Sequence, residues 1–477
     1  MHKGNTGLFF CPIDFFRFFP YNSPMQEKPM QENKMGVMPV GRLLVNMSLP
    51  MMISMFVLSL YNIVDSIFVS QISEEALAAV SMAFPFQILM VSFGLGTAVG
   101  VNALLSMRLG QKDQEAVNKS AMNGIFLAAA TYVFFAILCL IFVPPYFKSQ
   151  TQNQTIVGYG ITYLNICMLF GFGMFCQMMF DRLLQATGRT IWTMITQLVG
   201  AIFNIIFDPI LIFGIGPFPK MGIAGAAAAT VAGQILAAIV SMAFNIKVNH
   251  DIHFSLKGFR PDPAVILQIY KVGAPSIVLQ AVGSLTSYTM NLILGMFKGI
   301  ADTAIAVYGV YFKLNSFVFM PVFGLNSGLV PIVAYNYGAK KPDRIKRTIK
   351  FAIIAACIIM AVGVCIFEFF PERLFGMFNA SDKMLEIGVP ALRSIAPSFM
   401  GAAVCICLGS VFQALGSASY SMFVSIARQL LFLLPSAYLL SLTGNINNVW
   451  WSFLIAETIS ITLSLFFFAR VKKKKIG

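Results

Sequence analysis

Two aspartates lie within strongly apolar stretches of the chain. Asp208 stands in NIIFDPILIFG, residues 204 to 214, and Asp65 stands in LYNIVDSIFV, residues 60 to 69. A carboxylate at the centre of a lone membrane helix costs about 2.5–3.5 kcal/mol on insertion scales, so such residues usually face a wet interior and mark ion or proton paths. Asn204 precedes Asp208 by four residues and shares its helix face. These residues predict a buried site that binds a proton or a cation.

Pro209 directly follows Asp208. It has no N–H to donate to the carbonyl of Ile205, and it biases Asp208 away from ideal helix geometry. We expect a locally opened helix here, which would present a carboxylate and a free carbonyl together, as the discontinuous helices of transporters do for cations. The competing interpretation is that the two aspartates bond to neighbouring helices and only lock the packing.

The elements that must position these residues are membrane helices. The chain has 477 residues, of which 58% are hydrophobic and 11% charged, and its mean hydropathy is +0.78. Soluble domains carry about 25% charged residues. Apolar runs of about 20 residues recur along most of the length, and each is long enough to cross a bilayer as a helix. No cluster of catalytic or metal-binding residues is evident, so the sequence predicts a protein that is not an enzyme.

The fold class predicted is an all-α polytopic membrane protein with twelve transmembrane helices. The spans are expected at residues 41–70, 77–106, 120–143, 157–180, 190–214, 221–246, 266–297, 303–335, 347–370, 384–414, 418–441 and 447–470.

The two halves of the chain repeat one another. QATG at 185–188 returns as QALG at 413–416, and LGQKDQEAVNKS at 109–120 returns as YGAKKPDRIKRT at 337–348, with the same offset in both cases. Each half holds six spans, so both enter the membrane in the same orientation. This is the parallel-repeat plan of transporters with a cleft between two pseudo-symmetric bundles.

The predicted organisation has five parts. They are an irregular N-terminal leader (1–37), an N-terminal six-helix bundle (38–246), a cytoplasmic linker (247–265), a C-terminal six-helix bundle (266–470) and a basic tail (471–477). Whether residues 1–35 belong to the mature protein is left open.

The net charge of +14 predicts topology rather than nucleic-acid binding. Most Lys and Arg residues fall on one side of the predicted spans, and cytoplasmic loops carry such an excess. Both termini are therefore expected in the cytoplasm, with the chain in the plasma (inner) membrane. The run KKKK at 472–475 is expected to contact anionic lipid.

The carboxylates are not repeated in the second half. The counterpart of Asp65 falls near Asn291, and that of Asp208 near Ser436. This asymmetry suggests a task performed by one half. In the second half, Glu457, Lys313 and Arg428 could bind substrate or pair with one another.

Several motifs together resemble the multidrug and toxic compound extrusion (MATE) family, especially its DinF-like and MepA-like prokaryotic branch. The motifs are SLPMMISM at 48–55, VDSIFVS at 64–70, QATG at 185–188, NIIFDPILIFG at 204–214, GIAGAAAAT at 222–230 and GLVPIVAYNYGAKKPDRIK at 328–346.

The resemblance implies outward export of cationic amphipathic drugs or dyes, coupled to inward movement of H⁺ or Na⁺. It assigns ion coupling, and candidate Na⁺ ligation, to Asp65, Asn204, Asp208 and Thr230. It assigns helix bending to Pro50, in addition to the bend expected at Pro209 from the sequence itself. The acidic C-terminal cation site of the NorM-like branch has no clear match. A monomer without a resident cofactor is expected.

The mechanism expected is antiport by alternating access between the two bundles. The principal alternative is a flippase for lipid-linked oligosaccharides, which would be expected to use a basic cavity for pyrophosphate. A passive channel is a further alternative, but that function would not explain why the carboxylates occur in only one half. The physiological substrate and the choice between H⁺ and Na⁺ stay open.

Overall fold

The computed structural model describes residues 33–255, 257–378 and 380–477, and within these ranges the chain is helical without β-strands. Most of the predicted irregular leader lies outside the described residues. Its last four residues nevertheless form a short helix, α1 (Lys34–Val37), whose first turn is capped because the Asn33 side chain accepts a hydrogen bond from the Met35 N–H.

The N-terminal bundle contains seven further helices. They are α2 (Val40–Ser70), α3 (Glu74–Gln111), α4 (Gln114–Gln150), α5 (Gln154–Leu169), α6 (Phe172–Ala186), α7 (Thr190–Phe213) and α8 (Ile223–Lys247).

The C-terminal bundle follows the same plan with more breaks. Its helices are α9 (Pro263–Leu294), α10 (Ala301–Gly338), α11 (Pro342–Phe369), α12 (Pro371–Gly376), α13 (Asp382–Ile395), α14 (Ser398–Ala414), α15 (Ala418–Ile426), α16 (Leu434–Ser441), α17 (Ile446–Val449) and α18 (Trp451–Val471). A π-helical segment, Ala427–Leu433, joins α15 to α16, and a second one, Lys472–Ile476, extends α18.

The twelve predicted spans are confirmed in the described part of the chain. Ten helical stretches are long and apolar enough to cross a membrane, and two bent pairs bring the number to twelve. In one pair α5 meets α6 at 45°, and in the other α13 meets α14 at 50°. The second bend lies at Pro397, whose missing N–H cannot continue a helix. The first lies at Gly171, where the sequence offered no proline as a signal.

The lengths of the helices preserve the duplication. The fifth span of the first half, α7, runs from Thr190 to Phe213, and its counterpart, from α15 to α16, runs from Ala418 to Ser441. The offset is the same at both ends. It is the same again between the starts of α8 at Ile223 and α18 at Trp451. The fifth and sixth spans of the two bundles are therefore directly comparable position by position.

The two bundles meet through α2 and α3 of the first half and α9 and α10 of the second. α2 and α9 begin at the end of the molecule at which α3 and α10 finish. Lys112, Lys340 and Lys341 follow those last two helices, and this end is called the basic end below.

Glycine allows the helix backbones of the two bundles to touch at the basic end. A Cβ atom on Gly110 of α3 would lie 2.0 Å from the Tyr335 carbonyl oxygen, and one on Gly338 of α10 would lie 1.9 Å from that of Met107. Neither position can hold a larger residue unless the helices separate. The bundles are thus closed against each other at the basic end.

The short helix α1 also links the two bundles at the basic end. On one side, the Asn33 amide donates to the Thr187 carbonyl oxygen at 3.0 Å. On the other, Arg344 Nη2 donates to the carbonyl oxygens of Met35 and Met38 at 3.0 and 2.7 Å. Bonds of this charge-assisted kind are stronger than neutral ones. The segment before α2 therefore stabilises the closed contact.

We predict that Gly338→Ala destabilises the protein by about 1–3 kcal/mol, because the added methyl group overpacks a backbone contact. The measurement is the midpoint of thermal unfolding of the purified protein in detergent. Gly309→Ala, on the same helix, is the control: a Cβ there meets no atom within 4 Å. That control should be neutral or slightly stabilising, since alanine favours helices. An unfolding midpoint for Gly338→Ala at or above that of the control would contradict the close contact.

Candidate ion and substrate site

Asn204 lies at the centre of the residues expected to bind a coupling ion. Its Nδ2 atom donates to Asp208 Oδ1 on the next turn of α7 and to Thr230 Oγ1 on α8, each at 3.2 Å. All three side chains are buried, and Asp208 is 0% exposed. One amide nitrogen has two hydrogens, so it can hold both oxygens at the same time.

Asp65 of α2 completes the group. Its carboxyl group lies within hydrogen-bonding range of that of Asp208. Two carboxyl groups can form a hydrogen bond only if one of them carries a proton, because an ionised carboxylate is solely an acceptor. The structure therefore brings together all four predicted residues, from three helices; their role in ion coupling stays a prediction.

Three buried oxygens of this group have no hydrogen-bond donor among the described residues. They are Asp65 Oδ1, Asp208 Oδ2 and Asn204 Oδ1. An unsatisfied buried acceptor costs about 1–3 kcal/mol, and more when it is charged. A proton or a hard cation with oxygen ligands would relieve that cost. The donor set accordingly fits H⁺ or Na⁺, and it does not discriminate between them.

Small residues explain why α8 comes close enough for Thr230 to reach Asn204. Gly200 of α7 faces Gly233 of α8, and a Cβ on either would lie 3.0–3.2 Å from the other's carbonyl oxygen. The alanines of GIAGAAAAT, Ala226, Ala227 and Ala229, are fully buried in the same helix. Small residues permit such close packing of membrane helices.

The helices continue through both prolines expected to bend them. α7 is a single helix from Thr190 to Phe213, so the opened helix predicted at Pro209 is absent. A proline removes one helix hydrogen bond, and here the remaining bonds keep the turn closed. α2 likewise continues through Pro50. The carbonyl of Asn46, which Pro50 leaves without its usual donor, accepts from Thr190 Oγ1 at 3.4 Å. Bending at Pro50 stays a prediction.

Two tyrosines, Tyr61 and Tyr163, border the site, although the sequence did not single them out. Tyr61 lies one turn before Asp65 on α2, and its hydroxyl group is hydrogen-bonded to the Thr230 side chain. Tyr163 of α5 accepts a hydrogen bond from Gln87 of α3 at 3.3 Å and lies in the electrostatic neighbourhood of Asp65. The spacing of four residues between Tyr61 and Asp65 was the available signal, because such residues share a helix face.

A third buried carboxylate, Asp181 of α6, was also missed. Its Oδ1 accepts from Thr196 Oγ1 at 2.7 Å and from Ser241 Oγ at 2.8 Å, and its Oδ2 accepts from Gln197 Nε2 at 3.2 Å. The predicted fourth span ended at residue 180, which placed Asp181 just outside the membrane helices. In the structure α6 continues to Ala186. With three donors, Asp181 ties α6 to α7 and α8.

The sequence left open whether Glu457, Lys313 and Arg428 bind substrate or pair with one another. In the structure, Arg428 and Glu457 form a pair. Arg428 Nη1 lies 3.3 Å from Glu457 Oε2. Lys313 instead lies over the ring of Phe378, 5.9 Å from its centroid. In the described part of the chain, no group of three or more His, Cys, Asp or Glu side chains is arranged to hold a metal ion.

We predict that Asp181→Leu destabilises the protein by about 1–3 kcal/mol, because Ser241 and Gln197 lose their buried acceptor. Thermal unfolding in detergent measures the effect. Glu386→Leu serves as the control: Glu386 is exposed on α13, and a surface change of this kind stays within about 0.5 kcal/mol. Equal unfolding midpoints for the two variants would show that the Asp181 hydrogen bonds contribute nothing measurable.

Known proteins match nearly the whole chain. The MatE family model matches residues 50–210 and 275–439, one segment in each half. The multidrug export protein MepA of Staphylococcus haemolyticus is 26% identical over 428 residues, which cover 90% of this chain and 93% of that protein. The FAD transporter of Shewanella oneidensis is 26% identical over 415 residues, covering 86% and 90%.

Solved structures share the fold. A multidrug resistance MATE family transporter in an outward-facing conformation superposes with a TM-score of 0.87 at 23% identity, covering 94% of this chain and 99% of that one. A transporter of the MOP superfamily from Pyrococcus furiosus gives a TM-score of 0.86 at 23% identity with the same coverage. The family match spans more than half of the chain and falls in both bundles. The chain therefore belongs to the MatE family, with MepA-like proteins among its relatives, and it is a multi-pass membrane transporter rather than an enzyme.

Proposed function

We propose that this transporter exports cationic amphipathic compounds by antiport with H⁺ or Na⁺. The observation that carries the proposal is the Asp65–Asp208 pair, in which each carboxyl group has a buried oxygen without a donor among the described residues. Either a proton, a sodium ion or the cationic group of a substrate would satisfy these oxygens. The MepA relative is named as a multidrug export protein, which supports export of small molecules.

Competition at the pair gives the coupling. When H⁺ or Na⁺ binds, the negative charge of the pair is neutralised and its attraction for a cationic substrate falls. When the substrate binds, the ion is disfavoured to the same extent, because coupling free energies are reciprocal. Asp65 lies on α2, which contacts the C-terminal bundle through α10. The ligand state of the pair is thereby communicated to the interface between the bundles.

Alternating access is proposed to consist of opening and closing the bundles at the basic end. The contacts of Gly110 and Gly338 and the bonds to α1 hold that end closed in this state. The opposite state requires these contacts to separate. Since Lys and Arg accumulate on the cytoplasmic side of membrane proteins, we place the basic end, and both termini, in the cytoplasm of a plasma (inner) membrane protein.

The competing functions receive less support. A lipid-linked oligosaccharide flippase would need cations to hold a pyrophosphate, whereas the site between α2, α7 and α8 is built on a carboxyl pair. The FAD transporter relative is named for an anionic compound, and that chemistry also disagrees with the pair. We further propose that the chain acts as a monomer in the lipid bilayer, with small molecules rather than nucleic acid as ligands.

We predict that Asp208→Asn abolishes gradient-driven efflux of ethidium from proteoliposomes. The amide keeps the shape of the side chain and can still hydrogen-bond to Asn204, but it neither binds a proton nor attracts a cation. Efflux is followed by fluorescence under an imposed pH gradient and, separately, under an imposed Na⁺ gradient. The gradient that drives the wild-type protein identifies the coupling ion.

Asp302→Asn is the matched control, because Asp302 is an exposed aspartate in the first turn of α10 and should transport as the wild type does. Equal efflux by both variants would show that Asp208 contributes to packing and not to ion coupling. If folded wild-type protein transported no ethidium under both gradients, the antiport proposal would be withdrawn.

A further inference from the structure

The ion pair between Arg428 and Glu457 lies inside the C-terminal bundle, between its fifth and sixth spans. Arg428 is on the π-helical segment and Glu457 on α18, and their closest atoms are 3.3 Å apart. The Glu457 side chain is 8% exposed, whereas that of Arg428 is 28% exposed. Glu457 is therefore buried, and most of the Arg428 side chain is buried as well.

The pair lies within about one helical turn of the place that corresponds to Asn204 and Thr230 in the other bundle, whereas Asp208 itself corresponds to Ser436. Arg428 stands as far beyond the start of its span at Ala418 as Gly200 stands beyond Thr190, so these two positions are equivalent. In the same way, Glu457 on α18 is equivalent to Ala229 on α8, the residue before Thr230. The duplicated frame thus holds an acidic site in one bundle and a site with both charges in the other.

The pair leaves much of its binding capacity unused. Arginine and carboxylate groups usually bond through two parallel contacts of about 2.7–2.9 Å, whereas this pair makes one contact of 3.3 Å. Glu457 Oε1 and Ser460 Oγ are buried without a well-aligned hydrogen bond among the described residues, and the weakly polar thiol of Cys405 on α14 is their polar neighbour. Ser460 is fully buried and Glu457 is 6% exposed as a residue. A buried ion pair repays its desolvation only with excellent geometry and additional hydrogen bonds. This pair therefore gains from a ligand.

The charges restrict what that ligand can be. A simple cation would be repelled by Arg428, and a simple anion by Glu457. A ligand that carries both charges satisfies both residues if its carboxylate binds the remaining N–H groups of Arg428 and its ammonium group donates to Glu457 Oε1. Since the two protein charges are adjacent, the two ligand charges must be adjacent as well. An α-amino acid headgroup has this arrangement.

The surroundings of the pair are aromatic. The ring of Tyr311 on α10 lies 5.5 Å from that of Phe453 on α18 and 6.0 Å from that of Tyr308. Tyr311 is also in the electrostatic neighbourhood of both Arg428 and Glu457. Aromatic rings stack with other rings and with apolar groups. A ligand side chain that is large and apolar would match these neighbours in polarity.

We propose that Arg428 and Glu457 form a binding site for apolar α-amino acids, with aromatic ones preferred, and that these are a second substrate class of the transporter. Binding at the site follows from the geometry of the pair. The transport of such ligands rests on the export function proposed above.

The experiment measures equilibrium binding of radiolabelled L-phenylalanine to the full-length protein purified in detergent, without any ion gradient. Unlabelled N-acetyl-L-phenylalanine, which lacks the cation, and L-phenylalaninamide, which lacks the anion, are tested as competitors. We expect saturable binding of L-phenylalanine and competition at least tenfold weaker from either derivative. Absence of saturable binding, or equal competition by either derivative, would overturn the proposal.

The decisive variant replaces both members of the pair, Arg428→Met with Glu457→Leu, because removing both avoids leaving one unpaired charge buried. It should raise the Kd for L-phenylalanine at least tenfold. The control is Arg393→Met with Glu372→Leu, which removes an exposed ion pair of the same bundle and should leave the Kd unchanged. Equal affinities of the two double variants would overturn the proposal.

The two proposals fail separately. Intact L-phenylalanine binding with no ethidium efflux under either gradient would remove the antiport function and leave the amino-acid site. Normal, Asp208-dependent ethidium efflux without L-phenylalanine binding would remove the amino-acid site and leave the antiport function.

Discussion

The contact between the carboxyl groups of Asp65 and Asp208 is the constraint around which the N-terminal bundle is arranged. It joins α2, an interface helix, to α7, which packs on α2 and α8. Two carboxyl groups at this separation repel each other when both are ionised, so the contact persists only with a bound proton or another cation. If the pair binds an ion as proposed, the packing of α2 on α7 is linked to that binding, which is the linkage that the proposed antiport requires.

Small residues make that arrangement possible. α7 and α8 approach through Gly200 and Gly233, which brings Thr230 to Asn204, and α3 and α10 approach through Gly110 and Gly338. The first contact is within a bundle and fixes the site. The second lies between bundles and brings backbone atoms together at glycines that carry no side chain to interlock. At the glycines themselves, therefore, backbone meets backbone, and no side chain of those two residues has to change rotamer if the helices part.

Much of this structure could be predicted from the sequence, because lipid allows few solutions. Apolar runs of sufficient length must be helices, so the twelve spans and the grouping of Asn204 with Asp208 followed from spacing alone. Asp181 was missed because hydropathy falls at a buried carboxylate as it does at a loop. The continuity of α7 through Pro209 was also not predictable, since a lost hydrogen bond indicates that a helix can open and not that it does. Which basic residue pairs with Glu457 also depends on tertiary packing. Arg428 and Lys313 were equally good candidates by sequence, but Lys313 lies over the ring of Phe378.

The duplicated frame holds charged groups between the fifth and sixth spans of both bundles, at positions that are neighbouring rather than equivalent, and the charges differ. Between the fifth and sixth spans, one bundle holds Asp208 and the other holds Arg428 with Glu457. Each position also has a neighbour on an interface helix: Asp65 on α2 for the first and Tyr311 on α10 for the second. These two helices are joined by a hydrogen bond that Ser48 Oγ donates to the Leu325 carbonyl oxygen at 3.1 Å. On the functions proposed above, a ligand that changes the charge at either position would act on the same α2–α10 contact. On the same proposals, two unlike sites would bias a single movement of the bundles. The duplicated backbone would permit that movement, and the different side chains would give it a direction.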